Sequence, residues 1–185
     1  MTTQQTLVLI AAAILVFWAV GAYNRLVRLR HALSTTFAGL EAQITQRHAL
    51  LLRWTDALRP VLGDSAEAAD AVRAAAEQVL IAAERARLRP SAARIVSSLR
   101  LAEDTLAAAR ARLVAELPAH LHQSSLSGAS LPLAGFQDEL AAAGSTLAFA
   151  RRQFNDAADQ YNEAVLQFPT VLIASLFGFR AAGSL

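Results

Sequence analysis

The sequence predicts an all-α protein: an N-terminal transmembrane helix that continues into the long helix of an antiparallel helical bundle. Three observations favour this fold class. No charged side chain occurs before Arg25. Apolar residues then recur at heptad spacing, and no segment has the two-residue alternation of a strand. With 185 residues, the chain fits one domain plus an appended segment.

The composition excludes several classes of protein. Hydrophobic residues make up 55% of the chain and charged residues 17%, so part of it is expected to contact lipid or a dry interface. The absence of cysteine excludes disulfides, thiolate catalysis and cysteine-ligated metals. All basic residues are arginines and the net charge is only +2, so nothing favours nucleic acid as a partner.

The first apolar segment is predicted to be an uncleaved membrane anchor. It comprises seventeen uncharged residues, 7–23, after a short tail of residues 1–6, and seventeen is roughly the lower limit for a helical span. The alternative is a cleaved secretory signal, which requires a positively charged n-region and a small-x-small site. The chain lacks the first, and Ala19-Val20-Gly21 is a poor version of the second.

The flanking charges predict the orientation of this span. Arg25, Arg28 and Arg30 follow it directly, whereas the residues before it carry no side-chain charge. By the positive-inside rule, the N-terminus then lies outside and the body in the cytoplasm. The alternative places the body in the periplasm or outside the cell.

The span is predicted to continue as a long helix, because no proline occurs before Pro60. Two apolar tracks follow it at seven-residue spacing: Phe37, Ile44, Leu51 and Leu58 on one, and Leu26, Leu33, Leu40 and Trp54 on the other. Arg47 interrupts the second track, and an unpaired buried guanidinium costs several kcal/mol. Its predicted partners on the last helix are Asp156, Asp159 and Asn155. The alternative is that Arg47 extends to water.

A second and a third helix are predicted in the middle of the chain. A break at residues 60–63 precedes a capping box at residues 64–67, which opens an Ala-rich helix reaching Leu88. After a turn at residues 89–91, the third helix has a stripe of leucines and ends at Pro118.

The residues from Pro118 to Pro132 are predicted to form an exposed loop. The loop contains His120 and His122, an isolated pair with no acid or cysteine nearby, so we interpret them as solvated side chains and not as zinc ligands. No catalytic, nucleotide or metal motif occurs in the chain. We therefore expect no enzyme activity, no metal, no cofactor and no small-molecule substrate.

The last helix is predicted over residues 133–168, with Pro169 ending it. Its seam residues are Leu147, Phe154, Tyr161 and Phe168, with Ala150, Ala157 and Val165 on the second track. Asn155 and Asn162 share one face, where they either make structural hydrogen bonds that fix register or form a recognition stripe.

The tail, residues 170–185, is apolar but too short to cross a membrane. Three arrangements remain open for it. It folds back on the bundle, lies along the bilayer surface, or inserts in a groove of a partner.

Motifs at the two ends of the chain resemble those of the LemA family. The N-terminal match begins with Tyr23 and Asn24 beside the membrane, and residues 37–52, with Arg47, resemble the first cytoplasmic-helix motif. The C-terminal signature comprises Ala150-Arg151-Arg152, Phe154-Asn155, Ala157, Tyr161-Asn162, Val165, Phe168-Pro169 and Gly178-Phe179.

The resemblance implies a single-pass protein of the bacterial cytoplasmic membrane, with a helical-bundle body over residues 24–169. Genes of the family often lie near a membrane zinc metalloprotease of the HtpX type. We therefore expect a scaffold or adaptor, an interaction protein that contacts the lipid bilayer and either another envelope protein or itself. The alternatives are a regulatory partner of such a protease and a self-assembling, membrane-organising protein.

Overall fold

The computed structural model describes residues 3–62, 66–123 and 130–185. Within these ranges the chain forms five α-helices and no strand, which confirms the predicted all-α class. The fifth helix lies in the tail, where the sequence analysis predicted no helix. The helices are α1 (Thr3–Leu62), α2 (Glu67–Leu88), α3 (Ala93–Gln123), α4 (Ser130–Leu166) and α5 (Thr170–Leu176).

Helix α1 is unbroken from the apolar N-terminal segment into the body. Its 60 residues extend over about 90 Å at the rise of an α-helix. Both predicted heptad tracks are buried, including all eight apolar members. By length and composition, α1 is the one helix of the described chain that is apolar enough to cross a membrane.

The body is an up-down-up-down arrangement of four helices, because short connections join antiparallel neighbours. Helix α1 packs lengthwise against α4 and α2, and α2 packs against α3. In the described residues, α3 and α4 make little direct contact. The bundle is therefore closed on three sides, and a gap remains between α3 and α4.

Helix α2 packs through small side chains. Its buried residues are Val72, Val79 and seven alanines, at positions 68, 69, 75, 76, 82, 83 and 86. Ala66 precedes the helix without a side-chain cap, whereas Asp64 and Ser65, which we expected to supply one, lie outside the described residues. Glu67 and Asp70 in the first turn complement the helix dipole.

Four predicted helix boundaries are wrong. Helix α3 continues beyond Pro118 to Gln123, and α4 begins at Ser130, so most of the expected loop is helical. A proline removes one backbone donor from a helix, and here that loss does not end α3. Helix α1 likewise continues to Leu62, two residues beyond Pro60.

At its other end, α4 stops at Leu166, short of the expected Phe168. The residue before a proline disfavours helical backbone, and Phe168 precedes Pro169. Phe168 is therefore 76% exposed and does not join the seam.

Candidate functional site: the gap between α3 and α4

A buried ion pair lies at the base of this gap. The Arg47 guanidinium on α1 donates through Nη2 to Glu103 Oε1 on α3 at 2.5 Å, and both residues are only 8% exposed. Our prediction of a partner among Asp156, Asp159 and Asn155 is therefore wrong.

The register of α1 against α4 explains the error. The rings of Phe37 and Phe154 pack edge to face, with centroids 5.5 Å apart. Because the helices are antiparallel, Arg47, ten residues after Phe37, lies level with about residue 144 and not with the acids near residue 156. Glu103 is the nearest carboxylate at that level.

Glu103 had a sequence signal that we missed. It lies four residues after Leu99 and three before Leu106, both buried members of the α3 stripe. An acid at this spacing is on the core face of the helix, where it requires a cation.

Two more arginines surround the same carboxylate. Arg151 Nη2 on α4 lies 3.6 Å from Glu103 Oε2. Burial lowers the pKa of the Arg110 guanidinium, the like charge of Arg47 lowers it further, and Glu103 opposes both effects. The buried Nε atoms of Arg47, Arg110 and Arg151 have no hydrogen-bond partner in the described chain. The cluster therefore contains N–H donors that no acceptor in the described chain binds.

Beyond the ion pair, the gap opens as a cleft of about 240 Å³. It is lined by Arg47, Glu103, Asp104, Ala107, Gly144, Leu147, Ala148 and Arg151. Small residues on both helices leave the space, and charged groups from three helices border it. The described residues contain no group of three or more metal-ligating side chains.

The other part of the gap is filled by the tail of this chain. The Asn162 side-chain amide donates to the Ala182 carbonyl oxygen at 3.0 Å and accepts from the Ala182 N–H at 2.6 Å. Asn155 pairs in the same way with the main chain of Leu185, at 2.8 and 2.9 Å. These two asparagines therefore make structural hydrogen bonds, and their amides bind main chain, not side chains.

The tail folds back on the bundle, which is one of the three arrangements left open by the sequence. Ala174 and Ala182 are buried in the core. Gly183 lies against α3, where a Cβ would come within 3.0 Å of the Ala93 Cα atom. A side chain at 183 would therefore fit only if the tail or α3 shifted slightly.

Aromatic residues connect the tail to the end of the apolar segment. The Tyr23 ring lies 4.9 Å from that of Phe177 and 5.9 Å from that of Phe179. Gly178, between the two phenylalanines, has φ +71°, a backbone conformation that favours glycine.

The remaining motif residues divide between the core and the surface. Phe154 and Tyr161 are buried, and burial raises the pKa of the Tyr161 phenol, partly offset by the Arg30 charge and the main chain of Arg180. Pro169 is half-buried, whereas Asn24 and Arg152 are exposed. Most residues of the family motif therefore lie where α1, α4 and the tail pack together.

These features define a helical-bundle protein whose first helix includes a candidate membrane span and whose tail is bound along α4. The LemA family model matches residues 36–184, and the chain belongs to the LemA family. No curated protein matches the chain.

Replacing Glu103 by leucine leaves Arg47 buried without its carboxylate. We expect Glu103→Leu to lower the free energy of unfolding by roughly 3–5 kcal/mol, measured by urea unfolding of the full-length protein in detergent with circular dichroism. The matched control is Glu139→Leu, which removes an exposed ion pair with Arg53 and should cost less than about 1 kcal/mol. Adding Arg47→Leu to Glu103→Leu should restore most of the loss. Equal effects of the two single substitutions would contradict a buried pair.

Removing an asparagine amide should release the tail while leaving the bundle folded. For Asn162→Ala, the loss of two hydrogen bonds, each worth about 0.5–1.5 kcal/mol, should speed amide hydrogen exchange at residues 180–185 by roughly ten-fold or more. Exchange in α2 should not change. Asp159→Ala, at an exposed position on the same helix, is the control. Unchanged exchange at the tail in Asn162→Ala would refute this role.

Proposed function

We propose that this LemA-family protein is a single-pass, membrane-anchored scaffold or adaptor of the bacterial envelope, without catalytic activity. In this proposal α1 spans the cytoplasmic membrane, its N-terminus faces outward, and the body lies in the cytoplasm. The exposed arginines at positions 25, 28 and 30, directly after the apolar segment, support that orientation.

The observation on which the proposal rests is the open cleft between α3 and α4. Glu103 at its base is paired with Arg47 and lies near Arg151, and the buried Nε atoms of these two cleft-lining arginines have no hydrogen-bond partner among the described residues. Buried donors without partners are unfavourable unless something else binds them. An acidic or carbonyl-rich segment of a partner protein would satisfy them.

The way in which the tail is bound supports an extended peptide segment as the ligand. Residues 182–185 already occupy the neighbouring part of the same gap, held by two amides that pair with main chain. The gap is thus wide enough for an extended chain segment. We propose that the partner inserts such a segment into the cleft beyond Leu185.

Site-specific photocrosslinking in cells tests this proposal. A photoreactive phenylalanine analogue replaces Ala107 or Ala148, both exposed residues that line the cleft. Ala74, an exposed residue of α2, is the matched control. We expect the cleft positions to yield a discrete crosslinked protein at least about five-fold more abundantly than Ala74, because a photoreactive side chain crosslinks only protein that it contacts.

Mass spectrometry of the product separates the alternatives. A metalloprotease would make the protein a regulatory partner of that enzyme, and a second copy of this chain would make it a self-assembling scaffold. Equal, diffuse crosslinking from all three positions would overturn the cleft as the binding surface.

A further inference from the structure

Helix α5 leaves an apolar surface uncovered. Phe168, Leu172, Leu176 and Phe177 are all exposed, with Leu176 at 76%. We call these four residues the interfacial face. On the other side of α5, Thr170 and Ala174 are buried. This short element therefore packs on the bundle through one side, while Leu172 and Leu176 on its other side point away from the bundle.

The interfacial face lies beside the end of the apolar N-terminal segment. Phe177 contacts Tyr23, with ring centroids 4.9 Å apart, and α5 packs against α1. Val20, within the apolar segment, precedes Tyr23 by less than one helical turn, about 4.5 Å along the axis. Therefore α5 lies at the level where α1 would leave the hydrocarbon.

We infer that the interfacial face is embedded in the lipid interface, as a second membrane contact next to the span. The inference rests on the proposed function in one respect, that α1 spans the bilayer. A contiguous exposed apolar patch marks a membrane or protein contact, and its continuity with the span favours lipid. Phenylalanine and leucine are residues that interfacial helices bury at the boundary between headgroups and acyl chains.

The surrounding charges fit the same occupant. Arg25, Arg28 and Arg180 are exposed and lie within two to five residues of Tyr23 or directly after Phe179. Guanidinium groups at this level would contact lipid phosphates. With two attachments, α1 and α5, the body would have a fixed orientation relative to the membrane. It would not rotate about the axis of the span.

Fluorescence quenching in vesicles tests this inference on the full-length protein. The chain contains no cysteine, so Leu176→Cys introduces a single site for an environment-sensitive nitrobenzoxadiazole label, and its exposed position should tolerate the change. The vesicles contain phosphatidylcholine and phosphatidylglycerol with a nitroxide at a shallow or a deep acyl position. A label at Ile14→Cys tests whether the span lies in the bilayer. A label at Glu77→Cys, exposed on α2, is the reference for a position in water.

The label at Leu176→Cys should be quenched by the shallow nitroxide at least about three-fold more than the label at Glu77→Cys. Quenching equal to that at Glu77→Cys, with Ile14→Cys still quenched by the deep nitroxide, would overturn the inference and leave the span intact. A blue-shifted but unquenched label would also overturn it, because protein would then cover the face. Absence of quenching at Ile14→Cys would instead refute the span and this inference together.

Discussion

One helix, α1, is the constraint on which the rest of the structure depends. Every other helix contacts it, and its two buried tracks extend from Leu26 to Leu58. Burying each large apolar side chain contributes roughly 1.5–3 kcal/mol, so this seam is a major source of cohesion in the bundle, above all against α2, which packs mainly through alanines. Because the same helix includes the apolar segment, the bundle and the candidate span are joined by continuous helix without a flexible linker.

The interruption of that seam by Arg47 explains why the bundle is open between α3 and α4. A guanidinium in the core requires a carboxylate, and Glu103 supplies it from α3. With charged groups where apolar residues would otherwise interdigitate, α3 and α4 do not close on each other. The tail occupies one part of the gap through Asn155 and Asn162, and the cleft remains in the other. The proposed binding surface thus follows from one residue on the α1 seam.

Periodicity in the sequence predicted the features that depend on one helix at a time. It identified the buried tracks of α1 and the shared face of Asn155 and Asn162, and the absence of proline before Pro60 predicted the continuity of α1 past the apolar segment. It failed where two helices must be aligned, because a heptad repeat does not specify the register between antiparallel helices. The Phe37–Phe154 contact sets that register and moves Arg47 away from the acids on α4. The end of α3 was also missed, since proline disfavours a helix without forbidding it.

The central claim is that one unbroken helix contains both the candidate span and the core seam. The most direct test is a pulsed electron–electron distance measurement on Gly21→Cys/Gln46→Cys, spin-labelled in the full-length chain in lipid nanodiscs. Both positions are exposed, and their separation of 25 residues places them on the same face, about 38 Å apart along a straight helix. A single narrow distribution near that distance is the predicted result. A broad distribution, or a mean shorter by more than about 5 Å, would indicate a hinge at the membrane boundary and contradict the account.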